Sequence, residues 1–267
     1  MNHFNRLEHA TQILRETNQR GVAPYLTAGD GGLTTTLAVL HALEKAGATC
    51  VELGFPFSDP IADGPVLQAA AQRSLEAGTT FANTLEMVAT YRKEGGELPL
   101  AFMSYVNPLL QHGGLSSTCQ RIAYAGADAL VVPDLPLEES EELEKACQEN
   151  RLAPILFAAP TSGDARIQKA GSRSHGFLYV VGRVGITGGS TAFDNTTQEF
   201  LQTARRLSNA PIAVGFGIRT ADDIRSATKY ADLAIVGTAL VEKLHYSKDP
   251  AKTAFDFLKE LQSGLNA

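Results

Sequence analysis

Apolar residues recur every three or four positions in seven stretches of the chain, and this spacing is that of an amphipathic helix. In the first stretch Leu7, Ala10, Ile13 and Leu14 fall on one face, and Gly21 follows as a stop signal. The predicted helices cover residues 5–20, 34–46, 66–77, 80–94, 138–150, 198–207 and 221–229. Between most of them lie short runs that are almost wholly apolar.

Eight of these short runs predict strands. Four begin at a proline, three are entered from a helix end, and one begins at His175; the prolines are Pro24, Pro99, Pro154 and Pro211. Proline at the first residue of a strand costs no ladder hydrogen bond. Strands that are apolar on both faces are typical of buried parallel sheets.

Eight parallel strands alternating with helices within 267 residues predict an α/β fold, a (β/α)8 TIM barrel with an extra N-terminal helix. A doubly wound open sheet is the alternative. No break in composition, linker or low-complexity tract interrupts the chain, so residues 1–267 are predicted to form a single domain.

Composition narrows the class of protein. A formal net charge of −6 does not favour binding to nucleic acid or to an anionic membrane, and no apolar run is long enough to span a bilayer. The polar N-terminus predicts no secretory signal. Cys50, Cys119 and Cys147 are too far apart in sequence for a CxxC pair, which fits the reducing cytoplasm. The six histidines form no metal-binding motif, so no metal site is expected.

One carboxylate interrupts an apolar run. Glu52 lies in the predicted second strand, and the irregular loop that follows contains Asp59 and Asp63 among apolar residues. A buried charge is costly unless it is paired or used. Burial also raises the pKa of a carboxyl group, which suits proton transfer near neutral pH. These residues alone leave open a structural ion pair with a lysine or arginine.

The active site of a barrel of this kind is built by the loops that follow the strands. After the last three strands these loops are rich in glycine, with Thr187-Gly188-Gly189, Gly217 and Gly237-Thr238. Glycine lets the backbone approach a ligand, and helix starts bind anions. We therefore predict a phosphate site, with tight turns as the alternative explanation.

The opposite side of the predicted barrel mouth is apolar. It includes Tyr25, Phe55, Phe57, Met103, Tyr105 and Tyr179. Each of these residues alone could belong to the core. Together with the acids and the phosphate loops, they indicate acid–base chemistry on a phosphorylated small molecule with an apolar end.

Several stretches, in this order, are similar to one known family. They are PYLTAGD at 24–30, ELGFPFSDPIADGP at 52–65, NP at 107–108, PDLPLEE at 133–139, RVGITG at 183–188, VGFGI at 214–218 and VGTA at 236–239. The chain resembles the tryptophan synthase alpha subunit family over nearly its whole length, and the segment from Glu52 to Asp63 is the most specific match.

This resemblance implies retro-aldol cleavage of indole-3-glycerol phosphate to indole and glyceraldehyde 3-phosphate. Glu52 would shuttle protons between the indole C3 position and the C3′ hydroxyl, and Asp63 would hydrogen-bond the indole N–H. Tyr105 and Tyr179 match ring-pocket positions. The phosphate loops would be formed by Thr187, Gly188, Gly217, Gly237 and Thr238.

The family implies a partner but no cofactor in this chain. Indole passes to a beta subunit in an alpha2beta2 heterotetramer, and pyridoxal phosphate belongs to that beta partner. A cytoplasmic location is expected. The chain departs from the usual pattern in four places: Gly31-Gly32 stands where a proline is usual, Gly182 replaces a serine, Val184 replaces a small residue, and Thr238 replaces a serine but keeps the hydroxyl.

Two rival functions remain at this level. One is a free-standing lyase without a beta partner. The other is a degenerate subunit that only activates its partner, and the presence of both Glu52 and Asp63 argues against it.

Overall fold

Parallel strands form the centre of the molecule in a computed structural model that describes residues 5–181, 195–215 and 217–265. The strands are β1 Gly21–Thr27, β2 Val51–Gly54, β3 Leu100–Met103, β4 Ala129–Val131, β5 Ala153–Ile155, β6 Phe157–Ala158, β7 Leu178–Val181, β8 Ile212–Gly215 and β9 Leu233–Val236. They pair side by side in the order β5-β4-β3-β2-β1-β9-β8-β7-β6, and every pairing is parallel.

The barrel closes through the predicted fifth strand. That strand is split into β5 and β6 with Leu156 between them, and β5 pairs with β4 while β6 pairs with β7. The nine short strands therefore form the eight strand positions of the barrel. The prediction of a TIM barrel rather than an open sheet is confirmed.

Helices follow the strands and surround the barrel. They are α1 Arg6–Glu16, α2 Leu33–Ala46, α3 Pro65–Glu76, α4 Phe81–Lys93, α5 Val106–Gln111, α6 Gly114–Ala125, α7 Glu141–Glu149, α8 Asp164–Arg173, α9 Asn195–Leu207, α10 Ala221–Thr228, α11 Thr238–His245 and α12 Pro250–Gln262, with a 3-10 turn at Leu137–Glu139. Each of the seven predicted helical stretches overlaps one of them. The extra N-terminal helix is α1.

The expectation that four strands begin at proline is only half right. Pro99 and Pro211 stand directly before β3 and β8, but Pro24 and Pro154 lie inside β1 and β5. Pro24 is tolerated because β1 starts its pairing with β2 only at Tyr25, one residue later. Before that point β1 is paired with β9.

Buried charges near the starts of the strands are paired. Asp128, just before β4, binds the guanidinium groups of Arg6 and Arg92, each at 2.8 Å, and accepts the N–H of Leu100. Arg6 belongs to α1, so this cluster fixes the N-terminal helix to the barrel. Glu52, on the side of the barrel where the strands end, has different surroundings.

Candidate active site

Glu52 points into the barrel from β2 and is only 6% exposed. Its neighbours in register on β3, β4 and β5 are Ala101, Ala129 and Ala153. Alanine side chains put little bulk on this side of the carboxyl. On the other side its register partner is Tyr25 of β1.

Burial, rather than a cationic partner, determines the state of Glu52. Among the described residues no lysine or arginine forms an ion pair with it, unlike Asp128 with its two arginines. Its hydrogen bond comes from the Tyr179 hydroxyl, at 3.3 Å. Burial, and to a smaller extent the charge of Asp63, raises the pKa of Glu52 to about 8 against the opposing effect of the Tyr179 hydrogen bond. Within the described chain, the alternative that Glu52 forms a structural ion pair is therefore wrong.

Asp63 reaches the site from the loop between β2 and α3. The Tyr105 hydroxyl donates to its Oδ2 atom at 3.0 Å and accepts the N–H of Ala62 at 3.1 Å. Burial raises the pKa of Asp63 to about 6, and the hydrogen bond from Tyr105 opposes that rise. The two carboxyl groups therefore titrate on opposite sides of neutral pH. Asp59 is exposed and accepts a hydrogen bond from Ser58.

Two aromatic pairs stand beside the acids. The ring of Tyr105 packs against Phe57 with centroids 5.4 Å apart, and the ring of Tyr179 stacks on Phe157 at 4.9 Å. Each tyrosine thus offers a ring for apolar contact while its hydroxyl holds one of the two carboxyl groups. The structure brings together the predicted Glu52, Asp63, Tyr105 and Tyr179.

One aromatic residue expected at the mouth lies elsewhere. Phe55 packs on the outer side of the sheet against Phe81 and Phe102, at ring distances of 5.5 and 6.4 Å. Successive residues of a strand alternate between its two faces. With Glu52 inside, Leu53 and Phe55 therefore fall outside.

Sequence reasoning missed some residues of the site. Phe157, at the end of the split fifth strand, was not singled out, although it belongs to the predicted strand that begins at Pro154. Tyr25 was noted only as an apolar ring. The charges of both acids raise the pKa of its hydroxyl, after burial as the main cause, so its polar end also faces them.

The phosphate-loop residues divide into two groups. Gly237 directly precedes α11 and Thr238 begins it, so the unpaired N–H groups of a helix start are presented at that point. A methyl group on Gly237 would lie 3.5 Å from the Tyr25 side chain, which places this glycine beside the inner wall. Gly217 is exposed and has a φ of 61°, a conformation that favours glycine. Thr187 and Gly188 lie outside the described residues.

Comparisons with known proteins agree with this geometry. The family model described as tryptophan synthase alpha chain matches residues 11–267. The chain belongs to the tryptophan synthase alpha chain family. The tryptophan synthase alpha chain of Caulobacter vibrioides is 41% identical over 240 residues, covering 90% of this chain and 87% of that protein. The corresponding protein of Chloroflexus aurantiacus is 39% identical over 264 residues, covering 98% and 99%.

Solved structures of tryptophan synthases have the same fold. Tryptophan synthase subunit alpha from Legionella pneumophila matches with a TM-score of 0.89 and 31% identity, covering 99% of both chains. The aminoacrylate-bound tryptophan synthase from M. tuberculosis matches with a TM-score of 0.86 and 28% identity, covering 98% of this chain and all of that one.

Membership of the tryptophan synthase alpha chain family establishes the class of activity. The alpha reaction is a lyase reaction, the cleavage of indole-3-glycerol phosphate to indole and glyceraldehyde 3-phosphate. The alpha chain forms a complex with the beta subunit, and pyridoxal phosphate is held by that beta subunit rather than by the alpha chain.

Within the described ranges, no three histidine, cysteine or acidic side chains converge as metal ligands would. No helix in the described part of the chain is long and apolar enough to cross a membrane.

Proposed function

We propose that Glu52 and Asp63 are the two reacting carboxyl groups that cleave indole-3-glycerol phosphate in this chain. The observation that carries the assignment is the arrangement of the two carboxyl groups, each bonded by a tyrosine hydroxyl, at 3.3 Å for Glu52 and 3.0 Å for Asp63. Their surroundings raise the pKa of Glu52 to about 8 and the pKa of Asp63 to about 6. At neutral pH the first is protonated and the second is ionised. Paired groups whose environments separate their pKa values in this way are typical of acid–base catalysis.

The protonated Glu52 supplies the proton that starts the reaction. It protonates C3 of the indole ring, which turns the ring into an indolenine with positive charge on nitrogen. The resulting carboxylate then removes the proton of the C3′ hydroxyl. The bond between C3 and C3′ breaks, its electron pair returns to the ring to give indole, and the former alcohol carbon becomes the aldehyde of glyceraldehyde 3-phosphate. Glu52 is protonated again at the end, so no net proton is consumed.

The ionised Asp63 stabilises the intermediate. Its carboxylate accepts a hydrogen bond from the indole N–H and opposes the positive charge that grows there. The hydrogen bond from Tyr105 favours this ionised form. Tyr105 and Tyr179 are assigned to the indole pocket, and Phe157, which stacks on Tyr179, extends its apolar surface.

The phosphate of the substrate is assigned to the glycine-rich loops. Gly237 and Thr238 offer the start of α11, and Gly217 adds backbone N–H groups after β8. Thr187 and Gly188 are assigned to the same phosphate on the family resemblance alone. We further propose that residues 1–267 form one domain that acts in the cytoplasm, where its three free cysteines stay reduced.

A lyase assay with and without a beta subunit tests this function. The isolated chain is expected to release indole from indole-3-glycerol phosphate, and the beta subunit is expected to raise the rate. Absence of indole release under both conditions would contradict the proposal.

A further inference from the structure

A charged pair outside the barrel mouth connects β1 to the far end of α3. Arg73 donates from Nε to one carboxylate oxygen of Asp30 at 2.8 Å and from Nη2 to the other at 2.7 Å. Such side-on pairing fixes both the distance and the angle between the two groups. The two side chains are partly buried, at 30% and 13% exposure, so solvent screens the pair less than a surface pair.

The backbone around this pair is tightly packed. Ser74, the next residue of α3, is fully buried and donates to the carbonyl of Ala28 at 2.5 Å. Gly29 has a φ of 81°, and a methyl group there would lie 2.0 Å from the Thr79 hydroxyl oxygen. The loop after β1 and the end of α3 therefore meet at one fixed point.

The other end of α3 carries the catalytic loop. The helix begins at Pro65, two residues after Asp63, and its Gln68 side chain donates to the Asp63 carbonyl at 2.8 Å. Arg73 lies eight residues beyond Pro65, which is roughly 12 Å along the helix. A tilt at the Arg73 end is thus transmitted to Asp63 by a rigid element.

We propose that the Asp30–Arg73 pair positions Asp63 for the alpha reaction by fixing the tilt of α3. This inference rests on the proposed role of Asp63. Arg73 is a positioning residue in this account, since its contacts are with Asp30 rather than with the reacting atoms. Displacing a reacting group by 1 Å can cost about 100-fold in rate.

The chain provides a closely matched control. Arg173 of α8 makes the same side-on contact with Glu144 of α7, at 2.9 Å from Nε, and is also partly buried. Arg73→Ala and Arg173→Ala each remove a side-on pair, the second together with a hydrogen bond from Arg173 to Ser140. Only the pair of Arg73 is attached to the helix that follows Asp63. Each variant is compared with wild type in melting temperature, kcat and KM for indole-3-glycerol phosphate.

We expect Arg73→Ala to lower kcat at least 10-fold with KM within twofold of wild type, because the phosphate loops are untouched. Arg173→Ala should lose similar thermal stability and keep kcat within twofold. Guanidinium at millimolar concentration should restore part of the lost kcat in Arg73→Ala, since a cavity of about 460 Å³ lies against Asp30 and Arg73. Potassium chloride at equal ionic strength should not. Wild-type kcat in Arg73→Ala, or a parallel loss in Arg173→Ala, would overturn the inference.

Hydrogen exchange separates this inference from the function on which it rests. Peptides that span residues 58–64 should exchange faster in Arg73→Ala than in wild type. In Arg173→Ala they should exchange at the wild-type rate. This result does not depend on turnover. A wild-type chain that failed to cleave the substrate would therefore contradict the proposed function, whereas unchanged exchange in Arg73→Ala would contradict the positioning role.

Discussion

Replacing Glu52 by glutamine should stabilise the ligand-free protein, and the gain should grow with pH. The glutamine keeps the shape of the side chain, and its oxygen can still accept the hydrogen bond from Tyr179. What it removes is a carboxyl group that must be buried. Burial raises the pKa of Glu52 from its ordinary 4.5 to about 8.

The direction of this pH dependence follows from the number of protons bound in the folded and unfolded states. Below pH 4.5 Glu52 is protonated in both states and adds no pH dependence. Between pH 4.5 and about 8 it loses its proton on unfolding but keeps it when folded, so the wild-type free energy of unfolding falls as pH rises. The slope from this group is at most about 1.4 kcal/mol per pH unit, which gives about 5 kcal/mol over the whole interval. Above pH 8 the difference between variant and wild type should level off.

Urea denaturation at a series of pH values measures this difference. Far-UV circular dichroism is the suitable probe because the chain contains no tryptophan. Glu86→Gln, on the exposed face of α4, changes the net charge equally and should show a small difference at every pH. A stability gap between Glu52→Gln and wild type that stays constant from pH 5 to 8 would refute the claim that Glu52 is held protonated by burial.

Substitutions at three other positions test the rest of the site. Asp63→Asn should lower kcat about 100-fold, because an amide stabilises positive charge on the indole poorly; normal indole release would remove Asp63 from the reaction. Tyr105→Phe removes the hydrogen bond that lowers the pKa of Asp63, so the acid limb of the pH profile of kcat/KM should move to higher pH. An acid limb at the wild-type pH would show that Tyr105 does not control the ionisation of Asp63. Gly237→Asp should raise KM at least 10-fold by placing negative charge beside the phosphate. Gly237→Ala should leave KM unchanged, because there is room for its methyl group. Equal KM values in the two variants would locate the phosphate elsewhere.

The barrel could be predicted from sequence because its signal is local and repeated. Short apolar strands and amphipathic helices can each be recognised from about a dozen consecutive residues. The same locality explains why Glu52 could be found, since an acid inside such a strand stands out. Its pKa could be predicted in direction, because burial of a carboxyl group has a fixed sign.

Most of the features that were not predicted depend on tertiary structure. The Asp30–Arg73 pair joins residues 43 positions apart, and nothing in either segment indicates the other. The split of the fifth strand at Leu156 depends on the closure of the barrel. The misplacement of Phe55 could have been avoided, because strand alternation counted from Glu52 puts it on the outer face.

The central claim is that Glu52 transfers the protons in the alpha reaction. Its most direct test is a single-turnover assay of indole release by Glu52→Gln at pH 7.5, with saturating indole-3-glycerol phosphate and a beta subunit present. Positioned proton transfer contributes about 100- to 10,000-fold to a rate, so the variant should fall by at least the lower figure while it keeps its fold and binds the substrate. Indole release at the wild-type rate would contradict the account.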